Sequence, residues 1–262
     1  MNHIEKKMLD ILKCLRDDYG IIAIKAEFEA EGSRTDELVM LNEIIFRADM
    51  KLYVKIGGCE AVRDLDQCRL LGASGIMAPM IESPFAMKKF AGAAKKVYGE
   101  SYKEVEWIIN AETKTCHENL DAILAEGKNF LDTVSIGRVD LSTSMGLTRE
   151  QMNSDAMLAV TSDIASRCKQ AGYCVNFGGG ISFDAIPFIR KLYPLNDRFE
   201  TRKVVFHACD DENRLKNEIL KAMEFETLYL KNKGDYYNRM AREDQARLKM
   251  MAERLEMAGV SL

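Results

Sequence analysis

Proline and tryptophan are scarce in this chain, with four and one among 262 residues, and histidine occurs only three times. No proline-rich or low-complexity stretch separates the sequence into parts, so no domain linker is expected. The seven cysteines, at positions 14, 59, 68, 116, 168, 174 and 209, are odd in number and form no C-x-x-C pair. That argues against a disulfide framework and a cysteine zinc site; reduced, mostly buried thiols are expected. No apolar run approaches the roughly 18 residues of a membrane span, and the start, MNHIEKKMLDILKCLRDDYG, lacks the h-region of a secretory signal. Charge of one sign is not in excess either: 37 basic against 41 acidic side chains leave −4, which does not suit a nucleic-acid surface. A cytoplasmic protein with neither nucleic acid nor membrane as partner is the expectation.

What the sequence does contain is alternation. Apolar, often β-branched runs bounded by glycine or charge recur at residues 20–28, 51–58, 75–81, 105–112, 132–138, 173–180 and 203–208. Stretches of helical periodicity separate them. Ser83 before Pro84 marks a helix start, and Thr148 with Gln151 has capping-box spacing. Short buried strands alternating with helices predict a parallel α/β sheet, either closed into a (β/α)8 TIM-type barrel or open and doubly wound. Seven strands are legible where a barrel needs eight; the eighth lies before residue 20, in what reads as helix, or the barrel is irregular. The expected organisation is a barrel domain over residues 1–232 and an extra C-terminal helix over 233–262. That helix carries Met and Leu on one face and must bury them on its own barrel or on a neighbouring subunit.

In such folds the loops at the carboxyl ends of the strands carry the chemistry. Polar residues at those ends include Lys25, Glu27, Lys55, Glu112, Arg138, Asp140, Asn176 and His207. Glu112 and Asp140 end consecutive strands, and two hard carboxylates with water suit Mg²⁺ or Mn²⁺; the plain alternative is a capping or surface role for each. Lys25 and Glu27 share strand parity and face the same side. Glu29 and Glu31 read as solvated loop charges. The glycines at 178–180 form a tight strand-to-helix turn or a cradle for phosphate. His207 is a titrating group at the barrel mouth or a satisfied core residue.

The segments GIMAPMIES, ETKTCHENLDAIL and SIGRVDLSTSMG together resemble the HpcH/HpaI aldolase and citrate lyase β-subunit family, the last through Gly-x-x-Asp-Leu-x-x-Ser-x-Gly. The likeness covers residues 50–150 well and the rest loosely. It implies a phosphoenolpyruvate/pyruvate-domain-like barrel that assembles into homotrimers or homohexamers, exchanging its last helix between subunits. It also implies Glu112 and Asp140 as metal ligands. Where the family places an arginine that grips the keto acid, this sequence has Lys55, beside Gly57. The loop that bears a His-Asp pair in the aldolase branch reads EFEAEGSR here. Arg138, next to Gly137, stands where small residues are usual and is expected to take an extra acid or phosphate group.

These readings converge on a carbon–carbon lyase using a divalent metal to stabilise the enolate of pyruvate or a related 2-oxo acid, with an aldehyde or acyl-CoA as partner. Catalytic roles are expected for Lys55 and for Glu27 or His207 as base, and substrate contacts for Lys25, Arg138, Gly137 and Gly57. Two rivals stand beside it: a metal-independent Schiff-base aldolase using Lys25 or Lys55, and a barrel that binds a metabolite without turnover.

Overall fold

Each apolar run is too short for a helix and too buried for an edge, so the strands can only satisfy their backbones by pairing on both sides. In the computed structural model, which describes residues 1–259, they do so by closing into an eight-stranded barrel in sequential order. The strands are β1 Ala23–Glu27, β2 Lys51–Lys55, β3 Gly75–Ala78, β4 Glu106–Ala111, β5 Thr133–Gly137, β6 Cys174–Gly178, β7 Arg198–Glu200 and β8 Val204–His207. β1 through β7 run parallel, whereas β8 is antiparallel to both β7 and β1. The closed barrel is therefore irregular at its seam.

The strand absent from the sequence reading is β7. Its three residues are too few for a periodic signal, and only a short turn through Thr201, Arg202 and Lys203 separates it from β8. Thr201 and Val204 close that turn, the Thr201 N–H donating to the Val204 carbonyl at 2.9 Å. Residues before 20 form the helix His3–Tyr19, capped by Asn2 and Glu5 and buried along Ile4, Met8, Leu12 and Leu15.

Period-two alternation sorts each strand between two environments. Outward residues such as Ile24, Val54, Ile76, Ile109 and Val134 join the helices in the main core, where Trp107 stacks on Phe130 and meets Phe90 and Tyr98 edge-on. Inward residues form a small apolar plug of Ala23, Tyr53, Met77, Ile108 and Val205. Above the plug the same faces turn polar, with Lys25, Lys55, Asn110, Ser135, Asn176 and Glu200 all buried. The helix starts at Ser83 and at the Thr148 capping box are formed as the spacing predicts.

The expected boundary at residue 232 falls inside one continuous helix, Glu212–Met257, roughly 69 Å long at about 1.5 Å per residue. Its first half is buried through Tyr229 and packs along the N-terminal helix. Lys233, Tyr236 and Tyr237 then reach Glu37 and Asp36, and the helix beyond is exposed. Residues 260–262 of the expected C-terminal helix lie outside the described residues. Among the described residues no helix is long and apolar enough to cross a membrane.

One glycine in the barrel interior is required by close approach. A Cβ at Gly75 would lie 2.6–2.9 Å from the ring of Tyr53, which is buried and tied through its hydroxyl to Glu106. Gly75→Ala should cost about 1–3 kcal/mol in urea unfolding, whereas Gly58→Ala, with nothing within 4 Å, should stay within about 0.5 kcal/mol.

Candidate active site

The polar layer above the plug opens into a cavity of about 340 Å³ at the carboxyl ends of the parallel strands. Its floor is a chain of buried ion pairs. Lys25 Nζ sits between Glu200 and Glu27, with Glu27 at 3.4 Å. Glu200 also accepts from the Asn176 amide at 2.7 Å, and that amide reaches the Ser135 hydroxyl at 2.9 Å. Lys55 Nζ bridges Glu29 at 2.8 Å and Glu112 at 3.4 Å. Burial works against both ammonium groups, but Glu200 and Glu27 around Lys25, and Glu112 and Glu29 around Lys55, outweigh it and hold each pKa above the ordinary lysine value.

Glu112 is held from three directions. Its Oε2 accepts from Asn110 at 2.7 Å and from Lys55, and its Oε1 accepts the Met80 backbone N–H at 3.0 Å. To deliver that N–H, Met80 adopts φ 52°, a left-handed conformation that costs a non-glycine residue roughly 1–3 kcal/mol. Gly137 leaves the space on the other side: a Cβ there would lie 2.7 Å from Glu112 Oε2. Burial raises the Glu112 pKa in spite of Lys55 and Asn110, and Asp140 adds to the rise.

This donor set fits a hard divalent cation. Glu112 and Asp140 both line the cavity, and Asn110 adds a buried amide Oδ1 with no hydrogen-bond partner. Among the described residues no three His, Cys, Asp or Glu side chains converge on one point. A cation at this place would rest on two carboxylates, with water or substrate oxygens completing its shell.

The structure brings Lys25, Glu27, Lys55, Glu112, Gly137 and Asp140 to the cavity and separates three other expected residues from it. His207 ends β8, and because β8 is reversed, that end lies at the opposite face, where His207 pairs in register with Arg198 at the start of β7. It shares a surface hollow with Lys169, Tyr173 and Asp197 and cannot serve as the base. Gly57 does not line the cavity either; its N–H is taken by Asp64 at 2.7 Å. Arg138 is fully buried beneath the glycine loop. Its guanidinium donates to the carbonyls of Gly178 at 3.3 Å and Gly179 at 2.7 Å and to the Asn153 side chain at 2.9 Å, and it stacks over the Phe188 ring at 4.4 Å. Without a carboxylate partner, burial pushes its pKa down to about 10. Arg138 is thus a brace for the loop and does not line the cavity.

Sequence reasoning missed Glu200, which sits on the unread β7. Asn110 was hidden in an apolar run, although it shares strand parity with Glu112. Glu29 looked like a solvated charge, yet it binds Lys55, and Glu31 beside it binds buried Lys203. Pairing across loops distant in the chain leaves no local signature.

Compared with known proteins, residues 26–177 match the family model described as HpcH/HpaI aldolase/citrate lyase. A search by sequence among curated proteins gives no match. Among solved structures the chain is similar to an HpcH/HpaI aldolase from Desulfitobacterium hafniense DCB-2, with 17% identity, a TM-score of 0.58, and 70% of this chain and 78% of that one covered. It is also similar to an HpcH/HpaI aldolase/citrate lyase family protein from Burkholderia cenocepacia J2315, with 15% identity, a TM-score of 0.57, and coverage of 77% and 93%. RipC from Yersinia pestis follows at 12% identity, a TM-score of 0.52, and coverage of 78% and 87%.

The brace under the glycine loop is open to a direct check. Arg138→Met removes the donors to the buried Gly178 carbonyl and the half-buried Gly179 carbonyl and should lower stability by roughly 3 kcal/mol in chemical denaturation. Arg138→Lys keeps the charge but not the fork, and should recover less than half of that loss.

Proposed function

Because the chain belongs to the HpcH/HpaI aldolase/citrate lyase family, we propose that it is a carbon–carbon lyase that acts on pyruvate or a related 2-oxo acid, with an aldehyde or acyl-CoA as the partner. The observation that carries this reading is the pair Glu112 and Asp140 on one cavity wall beside Lys55. Mg²⁺ or Mn²⁺ bound by the two carboxylates would supply a Lewis acid for the keto and carboxylate oxygens of the substrate.

The protein's own groups have distinct parts in this scheme. Lys55 places a fixed positive charge where negative charge develops on the substrate oxygen, and Glu29 and Glu112 keep it from turning away. Asn110 and the Met80 N–H fix the rotamer of Glu112, so the carboxylate is aimed before substrate arrives. Glu27 is the base for the hydroxyl of the partner, oriented by Lys25, which in turn is anchored on Glu200. Gly137 keeps the space in front of Glu112 open. Exposed Met240, Leu248, Met250, Met251 and Met257 on the outer C-terminal helix support assembly with further copies as a homotrimer or homohexamer.

Imine chemistry is disfavoured, because an amine must be neutral to attack a carbonyl and both cavity lysines are held as ammonium. Borohydride added with pyruvate should therefore leave the protein mass unchanged; a trapped adduct on Lys25 or Lys55 would replace the metal reading with the imine one.

Exchange of pyruvate methyl protons into deuterated water, followed by NMR with Mg²⁺, tests the proposal itself. Exchange should occur, stop on addition of EDTA, and fall on the order of 100-fold or more in Glu112→Gln and Asp140→Asn. No exchange with several 2-oxo acids would favour a metabolite-binding barrel. Mn²⁺ titration read by electron paramagnetic resonance measures the site without turnover, and Asp140→Asn should weaken binding by about tenfold or more.

A further inference from the structure

Both lysines on the cavity floor already have carboxylate partners. Lys25 is committed to Glu27 and Glu200, and Lys55 to Glu29 and Glu112. An acid that enters the cavity can therefore reach either ammonium group only by exchanging places with a carboxylate of the protein. The two lysines differ in how readily they permit that exchange. Both partners of Lys25 are buried, and Glu200 is tied to Asn176 as well. Lys55 has one fixed partner and one loose one. The Glu112 side chain is 1% exposed and is held by Asn110 and the Met80 N–H in addition to Lys55. The Glu29 side chain is 26% exposed and lines the cavity. Among the described residues Lys55, at 2.8 Å, is the only hydrogen-bond or ion-pair partner of its carboxylate.

The backbone around Glu29 is anchored independently of that side chain. The Phe28 N–H donates to the Lys55 carbonyl at 2.8 Å, the Ser33 N–H donates to the Glu27 carbonyl at 3.2 Å, and Glu31 is fixed by buried Lys203. Release of Lys55 thus takes the rotation of one side chain toward solvent, with the loop left in place. Lys55 keeps Glu112 as it does so, and its ammonium group offers to an incoming acid the donor that Glu29 gives up. The tethered carboxylate competes at a high local concentration. Apparent affinity for an acid at Lys55 is therefore lowered by the fraction of molecules in which that donor is free.

We infer that Glu29 is a specificity-determining residue: in the free protein its carboxylate occupies the place on Lys55 that the anionic 2-oxo acid takes, and the acid binds by displacing it. This rests on the lyase reading for the identity of the acid, but the displacement itself is measurable without turnover. Isothermal titration of the full chain with pyruvate, acetate and the neutral amide pyruvamide, in the presence of Mg²⁺, tests it. Glu29→Gln should bind pyruvate, or failing that acetate, about tenfold more tightly than the unsubstituted protein, and pyruvamide within about twofold of it. Glu29→Asp is shorter by one methylene, so it keeps the charge in the cavity but draws it back from Lys55, and should tighten binding of the same acid by about threefold or more. Circular dichroism checks that both variants are folded. Failure of both acids to bind Glu29→Gln, unchanged affinity for them, or equal tightening for pyruvamide overturns the inference. So does unchanged affinity in Glu29→Asp beside tightening in Glu29→Gln, which marks a general effect of charge. Pyruvate proton exchange by the unsubstituted protein reports separately: exchange with no tightening in Glu29→Gln defeats only the displacement, and tightening without exchange defeats only the lyase reading.

Discussion

A carboxylate buried as deeply as Glu112 survives only if its surroundings compensate the lost water. Much of the upper barrel follows from that demand. Lys55 supplies charge, Asn110 and Met80 supply hydrogen bonds, and Gly137 supplies room. Lys55 in turn needs Glu29, which draws the loop after β1 over the cavity. The neighbouring pair, Lys25 with Glu27 and Glu200, repeats the arrangement one strand over. Breaking any one member strands a partner in low dielectric, which is why such networks tolerate isosteric change poorly even where they add little net stability.

Much of this fold was legible in the chain because buried parallel strands and their covering helices are coded locally, by period and by punctuation. Residues 105–112 and 132–138 show both signals, and the residues at their ends, Glu112 and Asp140, were readable as a pair for the same reason. What was not legible depends on strand direction and on contacts between distant segments. The reversal of β8 carries His207 to the wrong end, and nothing in VVFH itself encodes orientation. Glu200 belongs to a strand three residues long. Arg138 has the composition of a ligand-binding residue; only the carbonyls and rings packed around it make it structural.

The family membership and the departures from its pattern meet in one loop. In EFEAEGSR, where the resemblance places a His-Asp pair, Glu29 pairs with Lys55 and Glu31 with Lys203. That loop thus supplies the counter-ions of two buried lysines, each far from it in the chain, and solved structures at 12–17% identity speak to the scaffold alone.

The reversed β8 also shapes how the barrel can form. β1 stays open on one edge until the last strand arrives to pair with it, with Ile24 opposite Val204. Closure thus waits on a contact between the two ends of the barrel sequence, and the conformational entropy of the whole intervening chain must be spent before the seam rewards it. The tight turn at Arg202 and Lys203 eases this, since β8 is delivered as half of a local hairpin with β7 and docks as a preformed ribbon. A chain still emerging during synthesis would hold its unpaired β1 edge exposed until that ribbon was complete, and would depend on other elements to keep the edge from meeting a second molecule.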